Sequence, residues 1–507
     1  MLRLPRSARR VAAAALLAAA LAAGGTLLAL AAPPTATADA DGSDARTAAL
    51  IDEILADQAL PAAVWGVLAV DTRTGQTIVS RGADAMLLPA STLKLFTTAA
   101  ALDALGADFR FTTGLYSFGT TAGGTLRGDL VIRGAGDPTF GSDAMDGLGN
   151  PLTRWAEALH AAGVRRIEGR IVGDDDRTDD APYPEGWDVT HIATEPYAPA
   201  IGGLAYADNL LSLRIAGTSV EASPAGFATV RRDVSASAPG DGSRLTVRRA
   251  LGTDEFALAG TVAAGYRGTF RLPVANPTRY AVHAFAARLA AAGIDVSQAT
   301  LWDVDDLDAP PEYGAAEPLL VAVSPPLARI VAHTNRESDN LYAEHLLRVL
   351  TPEGSAEAGA ARVKAFLARS GADAEDLSIR DGSGLSRKDL ITPASMVALL
   401  RAMQRHPARD AFLASLPTGG GAGSTLRNRL DGIPVRAKTG SIEYARCLSG
   451  YVTGPAGQTI AFSVMANNYT VDGARITGAM DGIIRALATG QRADVAADAA
   501  AEAEEDE

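Results

Sequence analysis

The chain has 507 residues, 47% of them hydrophobic, with a net charge of −13 and a mean hydropathy of +0.08. That is room for about two to four domains, or one large domain with insertions, and a composition that allows a large core without implying a polytopic membrane protein. No basic stripe is present to track nucleic acid, and the single cysteine, Cys447, excludes an intrachain disulfide and a Cys-rich zinc site.

Residues 1–40 read as an export signal: Arg3, Arg6, Arg9 and Arg10 precede an apolar run over 11–32, and small-residue cleavage sites end at Ala38 and Ala40. The run is also long enough for an uncleaved N-terminal anchor. Either way the mature chain is expected to be extracytoplasmic. An amphipathic helix is predicted over 47–58, then a hairpin of strands 63–71 and 76–80. A buried helix follows over 88–102, with Pro89 at its start. Strands with a helix across them predict a sheet packed on helices. Residues 111–310 change texture to short strands, such as 128–134, 169–174, 210–215 and 244–249, with helices at 151–163 and 279–293. This stretch reads as one or two inserted β-rich domains between parts at 41–110 and 311–490. Helices are predicted at 327–350, 359–370 and 392–404, strands at 435–438, 447–453 and 459–465, and a last helix at 472–488. Seven acidic residues after Arg492 mark a solvated, disordered tail over 491–507.

Ser91 and Lys94 lie three apart on the first buried helix, so they project from one face: a weak nucleophile beside a potential base. Of 46 basic residues only Lys94, Lys364, Lys388 and Lys438 are lysine. Arg does not give up its proton near neutral pH, whereas a desolvated Lys does. Two further motifs come late in the chain, Ser338-Asp339-Asn340 and Lys438-Thr439-Gly440-Ser441, the latter at the end of a predicted strand. The order Ser-x-x-Lys, Ser-x-Asn, Lys-Thr-Gly is the set of penicillin-binding proteins and class A β-lactamases. Lys94 serves as a base only when neutral. Lowering it from about 10.4 toward 7 costs roughly 4–5 kcal/mol, which burial and the second cation, Lys438, would supply. Ser338 is placed to relay a proton between Lys94 and the leaving amine, and Asn340 to orient Lys94 and hold the substrate amide. Lys438 and Thr439 face a substrate carboxylate, and Gly440 lets the strand come close to a ligand. The oxyanion would be met by the backbone N–H groups of Ser91 and Ser441. No Gly-x-Ser-x-Gly elbow occurs; His333 and His345 read as structural, and Asp339 as structural or solvent-facing.

From about residue 45 to 488 the chain resembles the low-molecular-mass class C penicillin-binding proteins, the D-alanyl-D-alanine carboxypeptidase/endopeptidases. The resemblance includes Gly134-Ala135-Gly136-Asp137-Pro138, Ser324-Pro325-Pro326-Leu327, Ala343-Glu344, Asp381-Gly382-Ser383-Gly384-Leu385-Ser386-Arg387 and Leu416-Pro417. It implies an α+β fold: a serine β-lactamase/DD-peptidase-like domain, an antiparallel sheet with helices, carrying β-rich inserted domains. It implies an acyl-enzyme at Ser91, peptidoglycan stem peptides as substrate, β-lactams as covalent inhibitors and no cofactor. In the family an Asp of the insert and the Arg after Gly-Leu-Ser hold the far end of the stem peptide. Those match Asp174 and Arg387, for which an acidic turn and a structural ion pair are the competing readings. Glu443 lies where the family varies and bears on side-chain preference. A β-lactamase or esterase on the same site, or a wall-binding protein with a relic site, are the alternatives.

Overall fold

The computed structural model describes residues 38–491 apart from 58, 59, 61, 62, 146, 148 and 239. The expected signal, save its last three residues, and the acidic tail beyond 491 lie outside the described residues. Among those described, no helix is long and apolar enough to cross a membrane. Elements are numbered in chain order.

The central sheet is built from both ends of the chain. Strands β1 (Val64–Asp71) and β2 (Thr77–Arg81) form the expected hairpin, and Asp71 Oδ1 closes its turn by accepting from Arg73 and Thr74 N–H at 2.8 Å. β14 (Val435–Ile442), β15 (Ala445–Thr453) and β16 (Thr459–Asn467) complete an antiparallel sheet of order β14-β15-β16-β1-β2. Along β16 the side chains alternate between two cores. Ala461 and Met465 face the helices α2 (Lys94–Leu105), α7 (Asn340–Arg348), α8 (Ala356–Arg369) and α9 (Pro393–Met403). Ile460, Phe462, Val464 and Ala466 face α1 (Ala38–Leu55) and α11 (Gly473–Thr489). A sheet buried on both faces can hold a fully buried helix at its centre. α2 is that helix, buried continuously from Lys94 to Leu102, with alanines that permit close packing.

The 112–323 stretch forms a mixed sheet of order β12-β5-β4-β3-β13. β4 (Thr125–Arg133), β5 (Arg166–Asp174) and β12 (Asp295–Asp303) run parallel, and β3 (Thr112–Ala122) and β13 (Leu320–Val323) antiparallel to their neighbours. Helices α3 (Pro151–Ala161) and α5 (Pro277–Ala291) cover it, each entered through an Asn cap. Two three-stranded sheets join it. One is β11-β6-β7 (Arg267–Pro273, Leu210–Ala216, Ser219–Ser223); the other is β8-β10-β9 (Thr229–Ala236, Glu255–Val262, Arg244–Arg249). The short helix α4 (Val189–Thr194) lies in the 181–201 segment.

Three expectations need correction at the places that matter most. The helix predicted over 327–350 is two, α6 (Leu327–Arg336) and α7, broken at Ser338, whose φ is +61°. The apolar positions stop at Ala332 and resume at Leu341, and between them Asp339 caps α7 by accepting from Tyr342 N–H at 3.1 Å. The helix predicted from 88 begins as a 3-10 turn, Ala90–Leu93, with Ala90 at φ +46°, before α2 proper. Lys438-Thr439-Gly440 sits inside β14 rather than at its end, because pairing with β15 continues to Ile442↔Ala445 whatever the apolar pattern. The remaining helix of this part, α10 (Arg409–Ser415), packs on α6.

Candidate active site

Ser91 lies in the 3-10 turn and Lys94 opens α2, so the turn holds their side chains together. Lys94 Nζ is 3.0 Å from Ser91 Oγ, and it donates to Asn340 Oδ1 at 2.5 Å and to the Ser383 carbonyl at 2.8 Å. Those three contacts use every donor of an ammonium. A neutral amine keeps the last two and turns its lone pair to the Ser91 hydroxyl. Lys94 has no exposed surface, and burial pulls it down to about 8, against the opposing pull of Asp381, Glu344 and Asp339.

The second lysine is equally enclosed. Lys438 Nζ donates to Ser338 Oγ and to the Thr439 carbonyl, both at 2.8 Å. Burial, and then Lys94, push it well below the ordinary lysine range. Ser338 is thus bonded to Lys438, and among the described residues no hydrogen bond joins it to Lys94. The left-handed backbone at Ser338 aims its hydroxyl at β14 while Asn340, at the start of α7, faces Lys94. The other end of the Asn340 amide donates to the Tyr197 carbonyl at 2.8 Å, so the 181–201 segment reaches the site.

β14 is an edge strand, and Ala437 N–H points off the sheet to the Pro417 carbonyl at 2.9 Å. With a period of two, the N–H groups of Thr439 and Ser441 share that open edge. Thr439 Oγ1 donates to Thr425 Oγ1 at 2.8 Å. Gly440 meets the nucleophile turn rather than open ligand space. A Cβ there would lie 2.7 Å from the Pro89 carbonyl and 3.1 Å from Ser91 N.

The outlying residues separate. Arg387 and Glu443 form an exposed ion pair at 2.7 Å, beside the end of β14. Asp174 is buried and accepts from the Tyr313 hydroxyl and from Asp176 N–H at 3.2 Å; these bonds do not join it to the Ser91–Lys438 group. Asp339 pairs with His333 at 3.1 Å besides capping α7. Burial lowers His333, but the Asp339 carboxylate, with Glu337 and Asp208 adding to it, makes the net shift upward. His345 is buried against the Gly136 carbonyl and pulled down to about 4 by that burial. Cys447 is a free, buried thiol bonded to the Leu88 carbonyl, and burial pushes its pKa up.

Sequence reasoning gave no role to Glu344, Asp381, Trp187 or Tyr197. Glu344 and Asp381 lie in quoted stretches, and the spacing of Glu344 four residues after Asn340 is a readable signal of a shared helix face. The backbone carbonyls of Ser383 and Tyr197 leave no mark in a sequence.

Residues 47–488 match the D-Ala-D-Ala carboxypeptidase 3 (S13) family. The chain is 33% identical over 469 residues to a D-alanyl-D-alanine carboxypeptidase of Actinomadura sp. (strain R39), covering 85% of this chain and 83% of that one. It is 27% identical over 426 residues to the D-alanyl-D-alanine carboxypeptidase DacB of Haemophilus influenzae, covering 80% and 85%. The crystal structure of penicillin binding protein 4 (dacB) from Haemophilus influenzae superposes with a TM-score of 0.73 at 25% identity, over 87% of this chain and 99% of that one. The chain therefore belongs to the D-Ala-D-Ala carboxypeptidase 3 (S13) family of serine peptidases.

Proposed function

We propose that this carboxypeptidase is exported, that it cuts peptidoglycan stem peptides through an acyl-enzyme on Ser91 as both carboxypeptidase and DD-endopeptidase, and that β-lactams acylate the same oxygen. The observation that carries the reading is the buried Lys94 amine, 3.0 Å from Ser91 Oγ and drawn toward neutrality. The relatives' names support the substrate class.

Ser91 Oγ attacks the carbonyl carbon of the penultimate D-Ala as its proton passes to Lys94 Nζ. The oxyanion is met by the N–H groups of Ser91 and Ser441. Collapse breaks the C–N bond, and the proton that Lys94 took from Ser91 passes to the leaving amine by way of Ser338, leaving Lys94 neutral again. That amine is terminal D-Ala, or the cross-link amine in the endopeptidase reaction. Water then attacks the ester, gives its proton to Lys94, and Ser91 leaves with a proton restored. Lys438 and Thr439 hold the terminal carboxylate, and Asn340 keeps Lys94 aimed and holds the substrate amide. Gly440 closes the strand onto the turn. Arg387 and Glu443, with Asp174 further out, contact the far end of the stem peptide. Residues 111–310 form the inserted domains, and 1–40 direct export.

Fluorescent penicillin tests this directly: it should label the folded wild type and fail to label Ser91→Ala. Mass spectrometry of treated muropeptides should show loss of terminal D-Ala and of cross-links. A folded wild type that takes no label overturns the acyl-enzyme, and N-terminal sequencing of the mature protein tests the leader.

A further inference from the structure

Glu344 has no task in the mechanism above, yet it is fully buried beside its centre. On α7 it follows Asn340 by one turn and precedes Arg348 by one turn, so three polar side chains run down one buried face. Its Oε1 accepts Gly382 N–H at 2.9 Å, and its Oε2 has no partner among the described residues.

The turn that Glu344 grips is the turn that holds Lys94. The Gly382 carbonyl accepts from Thr97 Oγ1 at 2.7 Å, and the next carbonyl, Ser383, accepts from Lys94 Nζ at 2.8 Å. Asp381 fixes the rest. One of its oxygens accepts the N–H groups of Ser383 (3.0 Å) and Gly384 (2.6 Å). The other accepts Ser386 N–H (2.8 Å), the Ser383 hydroxyl (3.0 Å) and Trp187 Nε1–H (2.8 Å). With five donors on Asp381, its charge is well met. The Glu344 carboxyl has one hydrogen-bond donor, Gly382 N–H, with only the Ser383 hydroxyl and Arg348 adding to it, so its charge is far less supported than that of Asp381.

We propose that Glu344 is a positioning residue for Ser91 and Lys94 that sets which form Lys94 takes: a neutral carboxyl at Glu344 leaves the amine neutral and ready for the Ser91 proton, and an ionised one holds it as ammonium. This rests on the role given to Ser91 and Lys94 above. The two groups are coupled through the field of a dry interior, and only N–H and O–H bonds change, the proton lost by one being the proton gained by the other. The groups facing Lys94 are Asp381 and Glu344, Asp339 at the cap of α7, and Lys438 from β14. Those facing Glu344 are Asp381, Asp389, Arg348 and Lys94. Burial pushes Glu344 up to about 8 and pulls Lys94 down to about 8, so the two titrate over one range.

Because the chain has four lysines, carbon-13 labelling of the lysine ε position gives four signals, and Lys364→Arg and Lys388→Arg identify two of them. The Lys94 midpoint should fall by about one pH unit in Glu344→Gln, and the acid limb of Ser91 acylation by fluorescent penicillin should move down by the same amount. Glu344→Asp, which keeps the charge, should restore most of the shift. In the wild type itself the Lys94 curve should be broader than a single-site titration. Equal Lys94 midpoints in wild type and Glu344→Gln overturn the proposal. So does a rate lowered equally at every pH with the midpoint unmoved, which is the mark of a merely structural residue. If Glu344→Gln does not fold, a single-site Lys94 curve in the wild type overturns it. A wild type that takes no penicillin label would instead overturn the acyl-enzyme reading, while the lysine titration still answers this one.

Discussion

Gly440→Ala separates two reasons for a glycine in the Lys-Thr-Gly strand. If the glycine only makes room for a ligand, the free enzyme should not notice a methyl group. The structure puts three backbone atoms of the nucleophile turn in the way: Pro89 O at 2.7 Å, Thr92 N at 3.0 Å and Ser91 N at 3.1 Å from the new Cβ. Ordinary contact begins near 3.4 Å, so strand and turn must part by about 0.7 Å, and neither can yield by rotating a side chain. Overpacking of this kind costs about 1–3 kcal/mol. A misplacement approaching 1 Å at a reacting centre costs about tenfold to a hundredfold in rate. The assay is the second-order rate of Ser91 acylation by fluorescent penicillin, run beside thermal unfolding of the unliganded protein. Gly242→Ala, at an exposed glycine with nothing within 4 Å, is the control and should change neither. An unliganded Gly440→Ala with wild-type stability and an acylation rate within about threefold of wild type would refute the reasoning.

Lys94 should impose an acid limb on acylation, with the rate rising about tenfold per pH unit up to a plateau near its lowered midpoint of about 8. A flat profile from about pH 6 to 9 would contradict it. The same shift bears on stability: the folded midpoint lies below the ordinary 10.5, so the unfolded chain binds more protons between about 8 and 10.5 and stability should rise with pH in that window. Asp339→Ala removes a helix cap and the partner of His333, and should cost about 0.5–2 kcal/mol for the cap. Because the folded His333 is raised, its share of the pairing is fully present below the unfolded value of about 6.5 and is lost as pH rises through the folded value. Denaturation of wild type and Asp339→Ala should therefore give a gap that narrows above neutral pH; a constant gap rejects the His333 contribution. Arg387→Ala and Glu443→Ala break a pair whose side chains are 40% and 64% exposed, so unfolding should shift by less than about 0.5 kcal/mol while KM for stem peptides changes. A loss of stability well beyond that, with KM unchanged, would make the pair structural.

Most of the element order was legible. The hairpin at Val64–Arg81, the helices entered through Asn150 and Asn276 and the final strands and helix all announce themselves through apolar period or capping residues. The break at Ser338 was not, because neither glycine nor proline marks it and a polar run over 333–340 reads equally as the exposed turns of one helix. The extension of β14 past Gly440 was not, because it is held by pairing with β15 rather than by propensity.

The sequence by itself determined the chemistry available: one Ser-x-x-Lys, a distant Ser-x-Asn, a Lys-Thr-Gly, and lysine used so sparingly that its placement carries meaning. Residue type decides what a side chain is able to do, and type is all a sequence states. The tertiary structure decided which partners share a bond. It set Ser338 on Lys438, closed Gly440 against the Ser91 turn, paired Arg387 with Glu443 and tied Asp174 to Tyr313. It also enclosed Lys94 with carboxyls that no spacing connects to it. Those contacts join residues far apart in the chain, through burial and backbone carbonyls, and both of these exist only once the sheet has closed.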